Sequence, residues 1–383
     1  MVRNRVLLVL LLAGLLAVPS LAFLTLAPNR LISGAPVGLG AMHHEGALVL
    51  LMPGVLLALG VFLPQRAAFH AVTAAAAASF LLLLVRLAGS EAAVLAQTAP
   101  PVARISPGGA FWVLLIAAAL ALSNALRRLA VPVPVGVLLG AAMLGAMILL
   151  LLSGALDSLA ILREYAARRA AFAAAILRHA AMVALALLPT LLLGVPLGVL
   201  ARHRAALAAW LFPLLNVVQT IPSIALFGLL LAPLSELAAF FPALARLGIG
   251  GVGMLPAVIA LILYALLPVT RNTSEGLAGV SPAALEAGRG FGMTPRQLLW
   301  RVELPLALPV ILSGLRIATL QTIGLAAVAA LIGAGGLGAI MFQGLFADAL
   351  DLVLLGVLPI IAMALAANAL FDLGLARLHR MPR

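Results

Sequence analysis

Catalysis and ligand binding need particular side chains at particular spacings, and this chain of 383 residues carries few of them. It has no cysteine, which excludes a disulfide framework, a thiolate nucleophile and a cysteine-ligated metal. All 23 basic residues are arginine. Without lysine there is no Walker A motif, so the chain cannot hydrolyse ATP through a P-loop. His43, His44 and Glu45 stand together, but no further ligands at metal-site spacing accompany them, and no metal site is expected. The run GAGGLG at 333–338 has the spacing of a dinucleotide-binding fingerprint. That fingerprint needs a preceding strand and a surrounding βαβ unit, whereas here it closes a long apolar run. Its glycines, Gly333, Gly335 and Gly336 among them, instead permit a tight turn and close backbone approach.

Polar side chains inside apolar runs are the next candidates. The string QTIPS puts Gln219, Thr220, Pro222 and Ser223 in one such run, and Pro222 should break the helix there. Gln321 and Thr322 form a second polar pair. Groups of this kind must face protein or water. Two readings stay open: both pairs line a translocation path, or they make helix–helix hydrogen bonds without touching substrate. Arg316 also lies in an apolar run, so a carboxylate, carbonyl or water must meet it, and a structural anchor is expected.

The segment 271–304, RNTSEGLAGVSPAALEAGRGFGMTPRQLLWRVEL, is the richest in polar chemistry. Ser281 is a good N-cap and Pro282 suits the first helical position. A short helix should run to about Arg289, with Gly290 and Gly292 ending it. Thr294 should cap a second helix, with Pro295 at its first position and Gln297 completing a capping box. Leu285, Phe291 and Met293 could supply an apolar contact rimmed by Glu286 and Arg289, and Pro305 should mark the return to the membrane. A helix, a glycine turn and a second helix in a polar loop suit contact with another protein; a plain connecting loop is the alternative.

This loop resembles the EAA motif of ABC importer permeases, EAA-x3-G-x9-I-x-LP. The matching residues are Glu286, Ala287, Gly288, Gly292, Val302, Leu304 and Pro305. Gly288 replaces the second alanine and Val302 the isoleucine. The strings LLNVVQTIPSIALFGLLLAPL, LILYALLPVTRNT, LPLALPVILSGLRIATLQTIG and LIGAGGLGAIMFQGL are similar to glycine betaine, choline and carnitine permeases. With its extra N-terminal spans, the chain is most similar to the YehY type of osmoprotectant permease. The resemblance implies that Leu285, Glu286, Ala287, Gly288, Arg289, Phe291, Gly292, Leu304 and Pro305 couple to a separate cytoplasmic ATPase. That subunit binds ATP and Mg, and this chain needs no cofactor. It also implies an extracytoplasmic binding protein, and a second permease core that is either an identical chain or a different subunit. It places the glycines at 333–336 near an extracellular gate; a purely structural turn is the other reading.

The elements that must carry these groups follow from composition. The chain is 65% hydrophobic and 9% charged, with a mean hydropathy of +1.26. A soluble domain is about half apolar and about a quarter charged, so a soluble enzyme, a nucleic-acid-binding module and a disordered scaffold are excluded. The net charge of +12 is read as a membrane-topology signal, with no nucleic-acid partner. Ten spans are expected, at about 6–27, 46–63, 68–88, 110–126, 134–152, 180–200, 207–232, 249–269, 305–332 and 351–375. The first is longer than a signal-peptide core and is read as an uncleaved helix.

The expectation is thus an all-α protein of the bacterial inner membrane, with both termini cytoplasmic. Residues 1–152 form a five-helix membrane domain. An amphipathic segment, 153–179, connects it to a five-helix permease core, 180–383, with its coupling loop at 271–304. Arg163, Arg168, Arg169 and Arg178 violate this topology by falling outside. The competing function is a secondary transporter of small polar solutes driven by an ion gradient, which should show carboxylates near mid-membrane.

Overall fold

The computed structural model describes residues 3–29, 32, 34–42, 48–246 and 248–380. His43, His44 and Glu45 lie outside the described residues. The chain divides into two units, Met1–Ala167 and Arg168–Arg383.

The first unit contains α1 (Arg5–Ser20), α2 (Leu51–Gly60), α3 (Ala67–Thr98), α4 (Gly109–Arg128), α5 (Val133–Leu152) and α6 (Ala160–Ala167). It also holds strands β1 (Leu24–Ala27), β2 (Ala35–Val37) and β3 (Arg104–Pro107), in the antiparallel order β2-β1-β3. This sheet departs from an all-helical chain. It also corrects the first expected span, because the helix stops at Ser20 and residues 24–27 pair with β2 and β3. Leu24 and Ile105 are buried in the core below the sheet, with Phe23 edge-on to Phe111. The second expected span, 46–63, yields only the ten-residue α2 among the described residues. Arg128, at the end of α4, donates to Asn124, Gln65 and Asn4, and Asn4 caps α1 by accepting from Leu7 N.

The second unit runs α7 (Arg169–His203), α8 (Ala205–Thr220), α9 (Ser223–Phe240), α10 (Pro242–Arg246), α11 (Met254–Ala278), α12 (Pro282–Gly290), α13 (Pro295–Leu298), α14 (Leu304–Val328), α15 (Leu337–Phe346) and α16 (Leu350–Arg380). Helix α11 is its centre, packed between α7 and α14. The α7–α11 contact is close because Gly198 lacks a side chain: a Cβ there would stand 2.6 Å from Thr270 O.

Eight helices among the described residues are long and apolar enough to cross a membrane, in place of the ten expected. They are α3, α4 and α5 in the first unit, and α7, α9, α11, the α13–α14 stretch and α16 in the second. The expected span 207–232 is two helices, because Pro222 interrupts it between α8 and α9. The segment 153–179 is not a separate surface helix throughout. Turns lead to α6, and α7 begins at Arg169 and continues into the next span. Its arginines find protein acceptors: Arg163 donates to Ala103 O at 3.3 Å, and Arg168 to Gln343 Oε1 at 2.9 Å.

Candidate functional site

The polar loop is shorter than expected, because α11 remains helical to Ala278 and takes in Arg271–Ala278. What remains is a compact hairpin. Ser281 caps α12 by accepting from Ala284 N at 3.3 Å, with Pro282 at the helix start. The backbone then turns at Gly292, where φ is +75°. Thr294 and Gln297 form the reciprocal capping box: Thr294 N donates to Gln297 Oε1 at 2.9 Å, and Gln297 N to Thr294 Oγ1 at 3.4 Å. Gly288 is buried at the crossing of the two arms, and a Cβ there would stand 2.6 Å from Leu298 Cδ1. A glycine at this motif position therefore accompanies close packing of α12 on α13.

The second arm continues without a break into a helix long and apolar enough to cross a membrane. A π-helical turn, Leu299–Glu303, joins α13 to α14, with Leu304 N bonded to Leu299 O. The widened turn directly precedes Pro305, whose ring would crowd the carbonyl four residues back in a regular α-helix. Pro305 thus marks a change of helical pitch within one continuous helical stretch, Pro295–Ile332. Glu286, Ala287 and Arg289 are exposed on α12, Leu285 and Leu304 are half-buried, and Phe291 is 85% exposed at the tip. Trp300, on the π turn, is exposed as well.

The QTIPS break has a partner that sequence reading missed. Pro268 lacks an N–H, so the carbonyl of Tyr264, four residues earlier in α11, has no helical donor. Gln219 Nε2 supplies one at 2.7 Å. In return, Tyr264 Oη donates to Ile221 O, the C-cap carbonyl of α8 directly before Pro222. The two helices thus exchange side-chain donors, to the Pro268-orphaned carbonyl of Tyr264 and to the C-cap carbonyl of Ile221. The only advance signal was the four-residue spacing of Tyr264 and Pro268. Thr220 bonds back to Val217 O at 2.7 Å, Ser223 starts α9, and Pro222 caps it.

Gln321 is half-buried on α14, whereas Thr322 is buried and donates to Ala318 O of its own helix at 2.7 Å. The structure does not bring this pair together with Gln219 in any hydrogen bond. Arg316 donates to Asp372 Oδ1 at 2.8 Å and to Asn368 Oδ1 at 2.5 Å, so α16 supplies the carboxylate that this charge needs.

Gly333, Gly335 and Gly336 all adopt positive φ, at 80°, 76° and 74°. They fold the chain back between α14 and α15 and press it against α7. Arg178 Nε donates to Ala334 O at 2.5 Å, and a Cβ on Gly336 would stand 2.8 Å from Met182 Cε. His179 is fully buried beside the turn and donates through Nε2 to Ile323 O at 3.1 Å. Gly253 N closes the turn from α11 by donating to Ile332 O at 2.8 Å. No group of three or more His, Asp or Glu among the described residues is placed to hold a metal.

Residues 3–162 match the family model described as the N-terminal domain of ABC transporter permease YehY. Residues 191–382 match the binding-protein-dependent transport system inner membrane component. The osmoprotectant import permease protein OsmW of Salmonella typhimurium is 42% identical over 204 residues, covering 53% of this chain and 86% of that protein. The choline transport system permease protein OpuBD of Bacillus subtilis is 39% identical over 194 residues, 50% of this chain and 79% of that protein. The glycine betaine/carnitine/choline transport system permease protein OpuCD of the same organism is 38% identical over 192 residues, 50% and 77% respectively.

Proposed function

This chain belongs to the inner-membrane permease components of binding-protein-dependent ABC transport systems, and from that premise we propose that it admits glycine betaine or a related small quaternary amine. The observation that carries the mechanism is the continuity of the hairpin with a membrane helix. Helix α12 offers exposed Glu286, Arg289 and Phe291, and packs through Gly288 on α13, which continues into α14. A push on α12 is therefore delivered to α14 rather than absorbed by a slack loop.

In this reading a separate cytoplasmic ATPase grips the hairpin, and its nucleotide-driven closure moves α14. ATP and Mg belong to that subunit. A binding protein outside the membrane selects and delivers the substrate. The permease pathway takes two cores, the second an identical chain or a different permease, and both termini of this chain are cytoplasmic. The polar groups near the α8–α9 break, together with Gln321, lie along the route, and the glycine turn at 333–336 belongs to the outer gate.

The test is ATP-driven uptake of radiolabelled glycine betaine into proteoliposomes holding this chain, its ATPase and its binding protein. Uptake that requires all three components and ATP supports the reading. Uptake driven by an ion gradient without the ATPase overturns it in favour of a secondary transporter.

A further inference from the structure

Arg3, Arg5, Arg66 and Arg127 of the first unit are exposed, and their side chains have no hydrogen bond or ion pair among the described residues. They come from three separate stretches of chain and meet at one end of the unit. Arg5 opens α1, Arg66 immediately precedes α3, and Arg127 lies in the last turn of α4. A polar knot fixes this convergence. Buried Asn4 donates through Nδ2 to Asn124 Oδ1 at 3.2 Å. Arg3 N and Asn4 N both donate to Val61 O, at 3.0 and 3.1 Å, and Gln65 Nε2 donates to Arg3 O at 3.4 Å. The guanidinium of a fifth arginine, Arg128, is held inside the knot by Asn4, Gln65 and Asn124.

The arginines elsewhere in the unit are treated differently. Arg104 pairs with Glu164 at 2.8 Å, and Arg163 donates to Ala103 O. The described carboxylates all lie away from the knot. Glu91 is 25 residues, about 37 Å, along α3 from Arg66. Glu164 is taken by Arg104, and Asp157 follows the turn that packs on Gly89 of α3. Four guanidiniums thus share one end with no carboxylate between them, and an anion there relieves their mutual repulsion. Depth narrows the choice of anion. Arg66 and Arg127 flank α3 and α4, which are both long and apolar enough to cross a membrane, so these charges stand at the level of the lipid headgroups. A guanidinium matches a phosphate through two parallel N–H···O bonds.

We propose that this end of the N-terminal unit is a binding site for the phosphate headgroup of an anionic phospholipid. A zwitterionic headgroup carries its own ammonium into the cluster, so net charge sets the preference. The site is distinct from the coupling hairpin and does not depend on which solute is carried.

The test is native mass spectrometry of the full chain, titrated with phosphatidylglycerol or with phosphatidylcholine of the same acyl composition. One phosphatidylglycerol should bind at least about tenfold more tightly than phosphatidylcholine. An arginine near an anionic headgroup is worth about fivefold in affinity, so Arg66→Gln with Arg127→Gln should weaken that adduct at least about tenfold. Arg3→Gln with Arg5→Gln should do the same, should the first pair fail to fold. Arg202→Gln with Arg204→Gln removes the same charge from exposed positions of the second unit and should leave the adduct unchanged. Equal affinity for the two lipids overturns the proposal, and so does an equal loss in the Arg202/Arg204 variant, which would reduce the effect to net charge. Displacement by inorganic phosphate at the concentration of the lipid overturns the assignment to a headgroup. Loss of the adduct whenever the ATPase is bound overturns it as well, because these arginines would then face protein.

Discussion

Single side chains here repair defects that prolines introduce into helices. Gln219 supplies the donor that Pro268 removes from Tyr264 O. Gln219→Leu should therefore cost about 1 kcal/mol, the scale of an interhelical hydrogen bond in a membrane, measured by denaturant titration in detergent. In a Pro268→Ala background the backbone regains its own donor, and the same substitution should be nearly neutral. An equal cost in both backgrounds would show that Gln219 stabilises the fold through a different contact and would refute this pairing. Arg316 makes a second test. Arg316→Met or Asp372→Leu alone leaves one charge without its partner. Each should lower the folded yield several-fold, measured by size-exclusion profiles, and the double variant should recover most of it. A double variant no better than either single would remove the anchor role.

At the scale of elements, the hairpin is capped on both arms and packed through Gly288, and at Gly292 it needs a left-handed backbone. Gly292 holds φ at +75°, which an L side chain adopts at a cost, and it lies beside the exposed Phe291. Gly292→Asp adds that strain and a charge at the proposed docking surface. Uptake should fall at least tenfold at normal membrane abundance, and binding-protein-stimulated ATPase activity should uncouple or vanish. Wild-type coupling in the folded variant would refute the docking role. Thr294→Ala removes one half of the capping box and should cost about 1 kcal/mol, with a smaller loss of uptake than Gly292→Asp. The caps at Ser281 and Thr294 were readable beforehand because capping is local: donor and acceptor lie three residues apart. The π turn before Pro305 was not, because its pitch depends on how the whole α13–α14 stretch sits against α11 and α12.

For the whole molecule, the hairpin, the broken helix and the glycine turn all fall in the second unit, and the first unit holds the small sheet and the arginine cluster. We propose that residues 1–152 are a peripheral membrane domain outside the direct substrate route. A core starting at Asp157 behind a cleavable signal peptide should retain coupled uptake, assayed with its ATPase and binding protein. An assembled core without uptake, together with substitutions in the first unit that change substrate preference, would refute this.

Sequence alone determined the membrane class, the breaks at Pro222 and Gly292, the caps of the hairpin and the need of Arg316 for a partner. These follow from composition, from proline and glycine stereochemistry and from contacts within one helical turn. Tertiary structure decided the rest. It turned residues 24–27 from the end of a span into a central strand, because β2 and β3 supply the ladder that lipid cannot. It paired Gln219 with Tyr264 and Arg316 with Asp372, and set the glycine turn against Arg178. Partners 45, 56 and 156 residues apart leave no periodic trace in an apolar sequence. Where nearly every residue is hydrophobic, pattern no longer separates a buried face from a lipid-facing one, and only packing does.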